Sequence, residues 1–198
     1  MVKQIWLFAL LLFVCLSSAH AESMTAAELI EKARSQSREI EELKKVMESP
    51  DRNLRLSAFE LMMNSDNPIY RELAIESGLA STDSLLRSQA LKATVFNMDA
   101  LYVDLTVDEN APDEAQEKAK EALAAGVPRL IITIRSKDPK NDSMEISATN
   151  GGKAEIQGVN YVFQTGYEAG TLTLQDGALL QGPLAFKGNR YIGAAKLR

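Results

Sequence analysis

The sequence SPDRNLRLSAF at residues 49–59 returns, with substitutions, as SDNPIYRELAI at 65–75 and as STDSLLRSQAL at 81–91. The copies follow one another at a period of 16 residues and agree in six columns. These columns hold Ser, Asp or Asn, Leu or Tyr, Arg, Ala, and a large apolar residue. Repetition at a fixed period indicates a stack of equivalent structural units.

Each copy is predicted to form one short helix. Ser and Asp or Asn favour helix starts, because their side-chain oxygens accept the free N–H groups of the first turn. The spacing of Leu54, Ala58 and Met62 predicts an apolar stripe on one face. A single helix cannot bury such a stripe, so we expect the helices to stack, with the Ala column allowing a close approach.

Residues 49–96 resemble HEAT-like helical repeats, in which short helices pair and an arginine recurs near a helix start. The resemblance implies a stacked-helix architecture and leaves the function open, since such repeats serve scaffolds, inhibitors and enzymes. Three single-helix units make fewer than two of the usual paired repeats. We therefore do not expect this array to form a long curved groove by itself.

A further helix is predicted before the repeats. Thr25-Ala26-Ala27-Glu28 is a capping box, in which Glu28 reaches back to the cap. Apolar residues then keep a loose helical period from Leu29 to Met47. We expect this helix to pack on the repeats. The alternative is a coiled-coil dimer, whose heptad is interrupted at Gln36 and Ser37.

Residues 1–21 have the layout of a secretory signal peptide: Lys3, an apolar run from Ile5 to Leu16, and Ala19-His20-Ala21. The apolar run is shorter than the roughly 20 residues that cross a bilayer as a helix. We expect cleavage after Ala21, no membrane span afterwards, and a periplasmic or secreted protein.

Cleavage would remove Cys15 and His20, the chain's only cysteine and histidine. That excludes a disulfide scaffold, nucleophile–imidazole catalysis and most transition-metal sites. Loss of Lys3 leaves 21 basic residues against 27 acidic ones, a formal net charge of −6 that disfavours nucleic acid as a partner. The sequence thus predicts a protein without cofactor or metal that is not an enzyme.

The second half is rich in predicted β-strands. Residues 101–107 and 129–134 favour strands, and residues 112–125 favour a helix ended by Gly126. From Met144 onward, short alternating runs are separated by turn residues such as Asp176-Gly177 and Gly188-Asn189, which predicts an antiparallel meander. This half matches no named family.

The predicted fold class is therefore α+β. A helical layer is followed by a small antiparallel sandwich or barrel. The predicted divisions are a signal peptide at 1–21, a helical region at 22–96, a connecting segment at 97–127 and a β module at 128–198.

Two sets of side chains are candidates for partner binding. Arg55, Arg71 and Arg87 could form a basic strip, or could pair with Asp51, Asp66 and Asp83 in a structural role. The aromatic residues of the β module could form a sugar-binding platform: Tyr161, Phe163, Tyr167, Phe186 and Tyr191. Tyr161 and Phe163 share a strand face, however, and such a face more often points into a core. The acidic residues Asp104, Asp108, Glu109, Asp113 and Glu114 lack the ordered spacing of a calcium loop.

These observations favour a non-catalytic binding or adaptor protein of the bacterial periplasm, whose partner is another envelope or exported protein. Stacked helices offer broad surfaces for protein ligands. Two alternatives stay open at this point. One is an immunity or inhibitor protein that blocks an exported toxin or hydrolase, and the other is a β module that binds envelope glycan.

Overall fold

A computed structural model of the chain describes residues 24–126, 129–147 and 151–197. The expected signal peptide, residues 1–21, lies outside this described part. The chain divides into two compact units between Ile40 and Glu41. The described portion of the first unit is the beginning of one helix. The second unit holds the remaining helices and all the described strands.

Five helices and eight strands are found in the described residues. The helices are α1 (Ala26–Met47), α2 (Arg52–Met63), α3 (Pro68–Ala80), α4 (Ser84–Val95) and α5 (Asp113–Ala124). The strands are β1 (Ala100–Val107), β2 (Arg129–Asp138), β3 (Ser143–Ile146), β4 (Gly152–Gln157), β5 (Asn160–Gln164), β6 (Ala169–Gln175), β7 (Leu179–Phe186) and β8 (Asn189–Lys196).

The predicted α+β class, with helices followed by an antiparallel barrel, is confirmed. No helix among the described residues is both long and apolar enough to cross a membrane.

The repeated Ser-x-Asp/Asn motif builds the start of each repeat helix in the same way. The hydroxyls of Ser49, Ser65 and Ser81 each accept a hydrogen bond from the backbone N–H two residues later, at 3.1–3.2 Å. The next side chain of the motif, that of Asp51, Asn67 or Asp83, caps the helix by accepting first-turn N–H groups. Each cap supplies a partner to N–H groups that the helix itself leaves unpaired.

The Ala column lies where neighbouring helices approach one another. Ala58, Ala74 and Ala90 are all buried. A Cβ placed on Gly78 of α3 would lie 2.6 Å from the Cβ of Ala90 in α4. Small residues therefore set the helix separation, as the repeat predicted. Leu54 departs from the expected stripe: it is 46% exposed, whereas Ala58 and Met62 are buried.

The helices of the second unit form a series that ends at the barrel. Helix α2 contacts α3, α3 contacts α4, and α4 contacts β4. The guanidinium of Arg87 in α4 also donates a hydrogen bond of 2.8 Å to the carbonyl of Leu174 in β6.

The barrel is closed, because β1 pairs with both β2 and β8 and every other strand pairs with its neighbours in sequence. Strand β1 falls in the segment that was expected to connect two modules, so the β module begins at Ala100 and not near residue 128. Helix α5 interrupts the meander between β1 and β2 and packs on β1 and β8. Strand β2 also continues to Asp138, beyond the predicted 129–134.

Side chains fill the barrel interior, as expected for eight strands. Tyr161, Phe163 and Tyr191 are the largest aromatic residues inside, each at most 2% exposed. Gly193 of β8 also faces the interior, since a Cβ there would overlap Leu184 and lie 2.7 Å from Val103 Cγ1. The turn at Lys187-Gly188 has positive φ at both residues, a hairpin geometry that glycine favours.

Candidate protein-binding surface

The three repeat arginines do not form one continuous strip. The Nη1 of Arg55 donates to the carbonyls of Ser49 and Pro50, at 2.6 and 3.2 Å. The Nη2 of Arg55 contacts the carboxylate of Asp83 at 3.2 Å. Arg71 donates to the carbonyl of Ser65, the serine that opens its own unit. These contacts fix loops and helix starts inside the chain.

Arg87 differs from the other two, because its contacts lead to the barrel. Besides the carbonyl of Leu174, it approaches Asp176 at 3.6 Å. The acids expected as partners were Asp51, Asp66 and Asp83. Of these three expected acids, only Asp83 is seen to pair with one of the three arginines in the described part of the chain, and it does so with Arg55 of another unit.

Tyr161 and Phe163 lie inside the barrel. They are 0% and 2% exposed, and their ring centroids are 6.1 Å apart. The hydroxyl of Tyr161 makes no hydrogen bond to any described residue, and burial raises the pKa of that hydroxyl. A sugar platform requires open ring faces, so these two rings do not provide one. Of the other aromatic residues proposed for it, Tyr167 is 67% exposed.

The acidic residues of the 104–114 segment take up separate roles. Asp104 pairs with Arg129 at 2.7 Å, and the buried Asp108 approaches Arg190 at 3.5 Å. Asp113 and Glu114 stand in the first turn of α5, where negative charge is favourable. Within the described ranges, no group of three or more metal-ligating side chains comes together.

The outward side of α2 exposes two leucines. Leu54 and Leu61 are 46% and 73% exposed, and because they lie seven residues apart they share one side of the helix. Arg52, at the first position of the same helix, has a side chain that is 57% exposed. At 3.6 residues per turn Arg52 lies on the opposite side of the helix from both leucines, so we call Leu54 and Leu61 alone the α2 surface.

A shared carboxylate fixes the start of α2 against the start of α4. Asp83, the N-cap of α4, accepts a hydrogen bond of 2.7 Å from the Nε of Arg52 and also contacts Arg55. The hydrogen bond from Arg52 is the main cause that lowers the pKa of Asp83 to about 2. The exposed Leu54 and Leu85 follow the two capping aspartates, Asp51 and Asp83, at these helix starts.

A groove runs beside this cluster, between the end of α1, helix α3 and the loop that precedes α4. It has a volume of about 510 Å³. Its apolar lining includes the buried Met47 and Leu73, and its charged lining includes Lys44, Glu48, Arg55 and Glu76. Apolar and charged groups of both signs suit a short segment of a partner chain rather than a single small apolar molecule.

The barrel wall carries a second, smaller exposed patch. Tyr102 of β1 and Ile131 of β2 are directly opposite each other across the strands, and each is 54% exposed. Asp104 and Arg129 form the next outward pair. We call Tyr102 and Ile131 the barrel patch.

Neither the α2 surface nor the barrel patch was predicted from the sequence. For Tyr102 a signal existed, because Leu101, Val103 and Leu105 alternate as inward residues and place Tyr102 outside. For Leu61 no comparable signal existed, since it stands in an apolar run with Met62 and Met63, which does not show which side of the helix meets a neighbour.

Comparisons of the chain with protein-family models, with curated proteins and with solved structures found no significant match.

Proposed function

We propose that this chain is an exported, non-catalytic protein-binding protein of the bacterial periplasm and that the α2 surface is its docking site. The observation that carries the proposal is the exposure of Leu54 and Leu61 on one side of α2. Large apolar side chains are typical of the buried core of a protein interface.

Two further features support this function. The neighbouring groove offers space for an extended or turn segment of the partner next to the docking site. The α2 surface is also held in place by the contacts of Arg52 and Arg55 with Asp83. A surface ordered before binding loses less side-chain entropy on association.

The test is an affinity capture with the C-terminally tagged full chain, produced at native level in its own host. N-terminal sequencing of the purified protein checks export, with Glu22 as the expected first residue. One dominant exported protein in a one-to-one complex supports the proposal. If that partner is a toxin or hydrolase whose activity the complex blocks, the protein is an inhibitor or immunity protein.

A glycan-binding function is the second candidate, and the barrel patch favours it. Aromatic rings such as that of Tyr102 present a flat apolar face with a polar hydroxyl, which suits contact with a sugar. Retention of the full chain on isolated cell-wall sacculi, lost on Tyr102→Ala and kept on Leu61→Ser, would establish this function in place of the first.

A further inference from the structure

The first part of α1 carries apolar residues that are open to solvent. Leu29 and Ile30 are 53% and 54% exposed, and Ala33 is exposed as well. The helix begins with the predicted capping box, in which the backbone N–H of Thr25 donates to Glu28 at 2.7 Å. This is a well-formed helix start followed by an uncovered apolar side.

The positions of these residues define a seam. Leu29, Ala33, Gln36 and Ile40 follow one another at steps of four, three and four residues, which is the spacing of contact positions in a coiled coil. Ile30 and Ser37 lie directly beside the seam. Gln36, which interrupted the heptad in the sequence, occupies a central position of this short segment.

The ion pairs of this helix lie on the side away from the seam. Glu31 contacts Arg38 at 3.4 Å and Arg34 at 3.8 Å. At 3.6 residues per turn these three side chains point away from Leu29 and Ile40. The charged residues on one side of the helix thus pair with one another, whereas Leu29 and Ala33 on the other side are exposed to solvent.

We propose that this seam binds the same seam of a second copy in an antiparallel, two-fold arrangement. In that register Leu29 of one copy meets Ile40 of the other, and the small Ala33 meets the long Gln36. Large residues fill the outer layers, and the alanine leaves room for the glutamine, whose amide reaches solvent at the edge. The interface is isologous, as in most two-fold dimers.

Charge also fits this arrangement. Lys32 flanks the seam on one copy and comes beside Glu39 of the other, so that opposite charges lie at both ends of the contact. A parallel pair would set Ala33 against Ala33 and would extend the seam to Met47. Met47 is only 4% exposed within its own chain, so it is not available to a partner.

The seam is short, and its area lies at the small end of specific interfaces, so the dimer dissociates on dilution. Sedimentation velocity on the purified exported protein, from about 1 μM to about 500 μM, is expected to show a monomer–dimer equilibrium. Leu29→Glu weakens dimerisation by about tenfold or more, and Ile131→Glu, a control at an equally exposed position, leaves it unchanged.

Disulfide trapping in a Cys15→Ser background tests the orientation. A mixture of Leu29→Cys and Ile40→Cys chains is expected to form the mixed dimer, and Leu29→Cys alone is expected to form none. A sedimentation coefficient independent of concentration would overturn the proposal. A dimer that persists in Leu29→Glu would also overturn it, because its interface would then lie elsewhere on the chain. Efficient disulfide formation between two Leu29→Cys chains would overturn the antiparallel orientation. Binding of the monomer to lipid vesicles through Leu29 would also overturn it, by assigning the seam to a membrane surface.

Discussion

Arg55 of α2 and Asp83, the N-cap of α4, form an ion pair of 3.2 Å between two units of the helical repeat. The same carboxylate accepts hydrogen bonds from the backbone N–H groups of Leu85 and Leu86. The Asp83 side chain thus caps α4 and also holds the start of α2 against the start of α4. This contact fixes the start of α2, the helix that carries the α2 surface.

The Asp83 contacts predict a specific dependence of stability on pH. The pKa of Asp83 is lowered from 3.8 to about 2, chiefly because Arg52 donates to the ionised carboxylate. A lowered pKa contributes stability above pH 3.8 that is lost as the pH falls toward 2. We expect urea unfolding at stepped pH to show a steeper loss in the wild type than in Asp83→Asn. Equal slopes over this interval would contradict the assignment.

The close approach of α3 and α4 predicts a coupled pair of substitutions. Gly78→Ala places a methyl group 2.6 Å from the Cβ of Ala90, and we expect a loss of about 1–3 kcal/mol in the free energy of unfolding. In an Ala90→Gly background that neighbouring Cβ is gone, so the same change should cost less. A double-mutant cycle by chemical denaturation measures this coupling, and additive effects would argue against the helix contact.

The barrel interior predicts a similar sensitivity at Gly193. Gly193→Ala adds a methyl group where Leu184 and Val103 already pack, and a loss of about 1–3 kcal/mol is expected from overpacking. Ala185→Val adds apolar volume on the exposed outer wall of β7 and serves as the control, with a change near zero. Thermal unfolding of both variants checks the inward assignment of Gly193.

We predict that Arg87 stabilises the fold and does not bind the protein partner. Arg87→Met removes the hydrogen bond to the carbonyl of Leu174 and should cost about 1–3 kcal/mol, because a buried carbonyl loses its partner. Capture of a protein partner, corrected for the amount of folded bait, should stay unchanged. A variant that weakens capture at an unchanged melting temperature would instead make Arg87 a binding residue.

Local chemistry explains how much of the fold could be predicted. Asp51 and Asp83 cap helices through contacts within three residues, so the repeat signalled the helix starts directly. Glycine-containing turns and strand alternation likewise predicted the antiparallel meander of the second half.

Distant pairings explain what could not be predicted. Strand β1 joins the barrel by pairing with β8, far along the chain, and nothing within residues 101–107 shows that partner. Asp83 meets Arg55 across 28 residues, and the repeat pattern suggested a nearer acid. The α2 surface could not be predicted for the same reason. Leu61 is exposed because no described helix packs on that side of α2, and this depends on residues distant in the sequence.

Binding of a protein partner by the α2 surface can be tested directly by substituting one of its leucines. The measurement is quantitative affinity capture with tagged wild type, Leu61→Ser and Tyr102→Ser, each checked for an unchanged melting temperature. Both substitutions replace a large exposed apolar residue, one on the α2 surface and one on the barrel patch. We expect Leu61→Ser to lower recovery of the dominant partner by about tenfold, roughly 1.4 kcal/mol of binding free energy, and Tyr102→Ser to leave it unchanged. Full recovery with Leu61→Ser, or a loss confined to Tyr102→Ser, would show that the α2 surface is not the docking site.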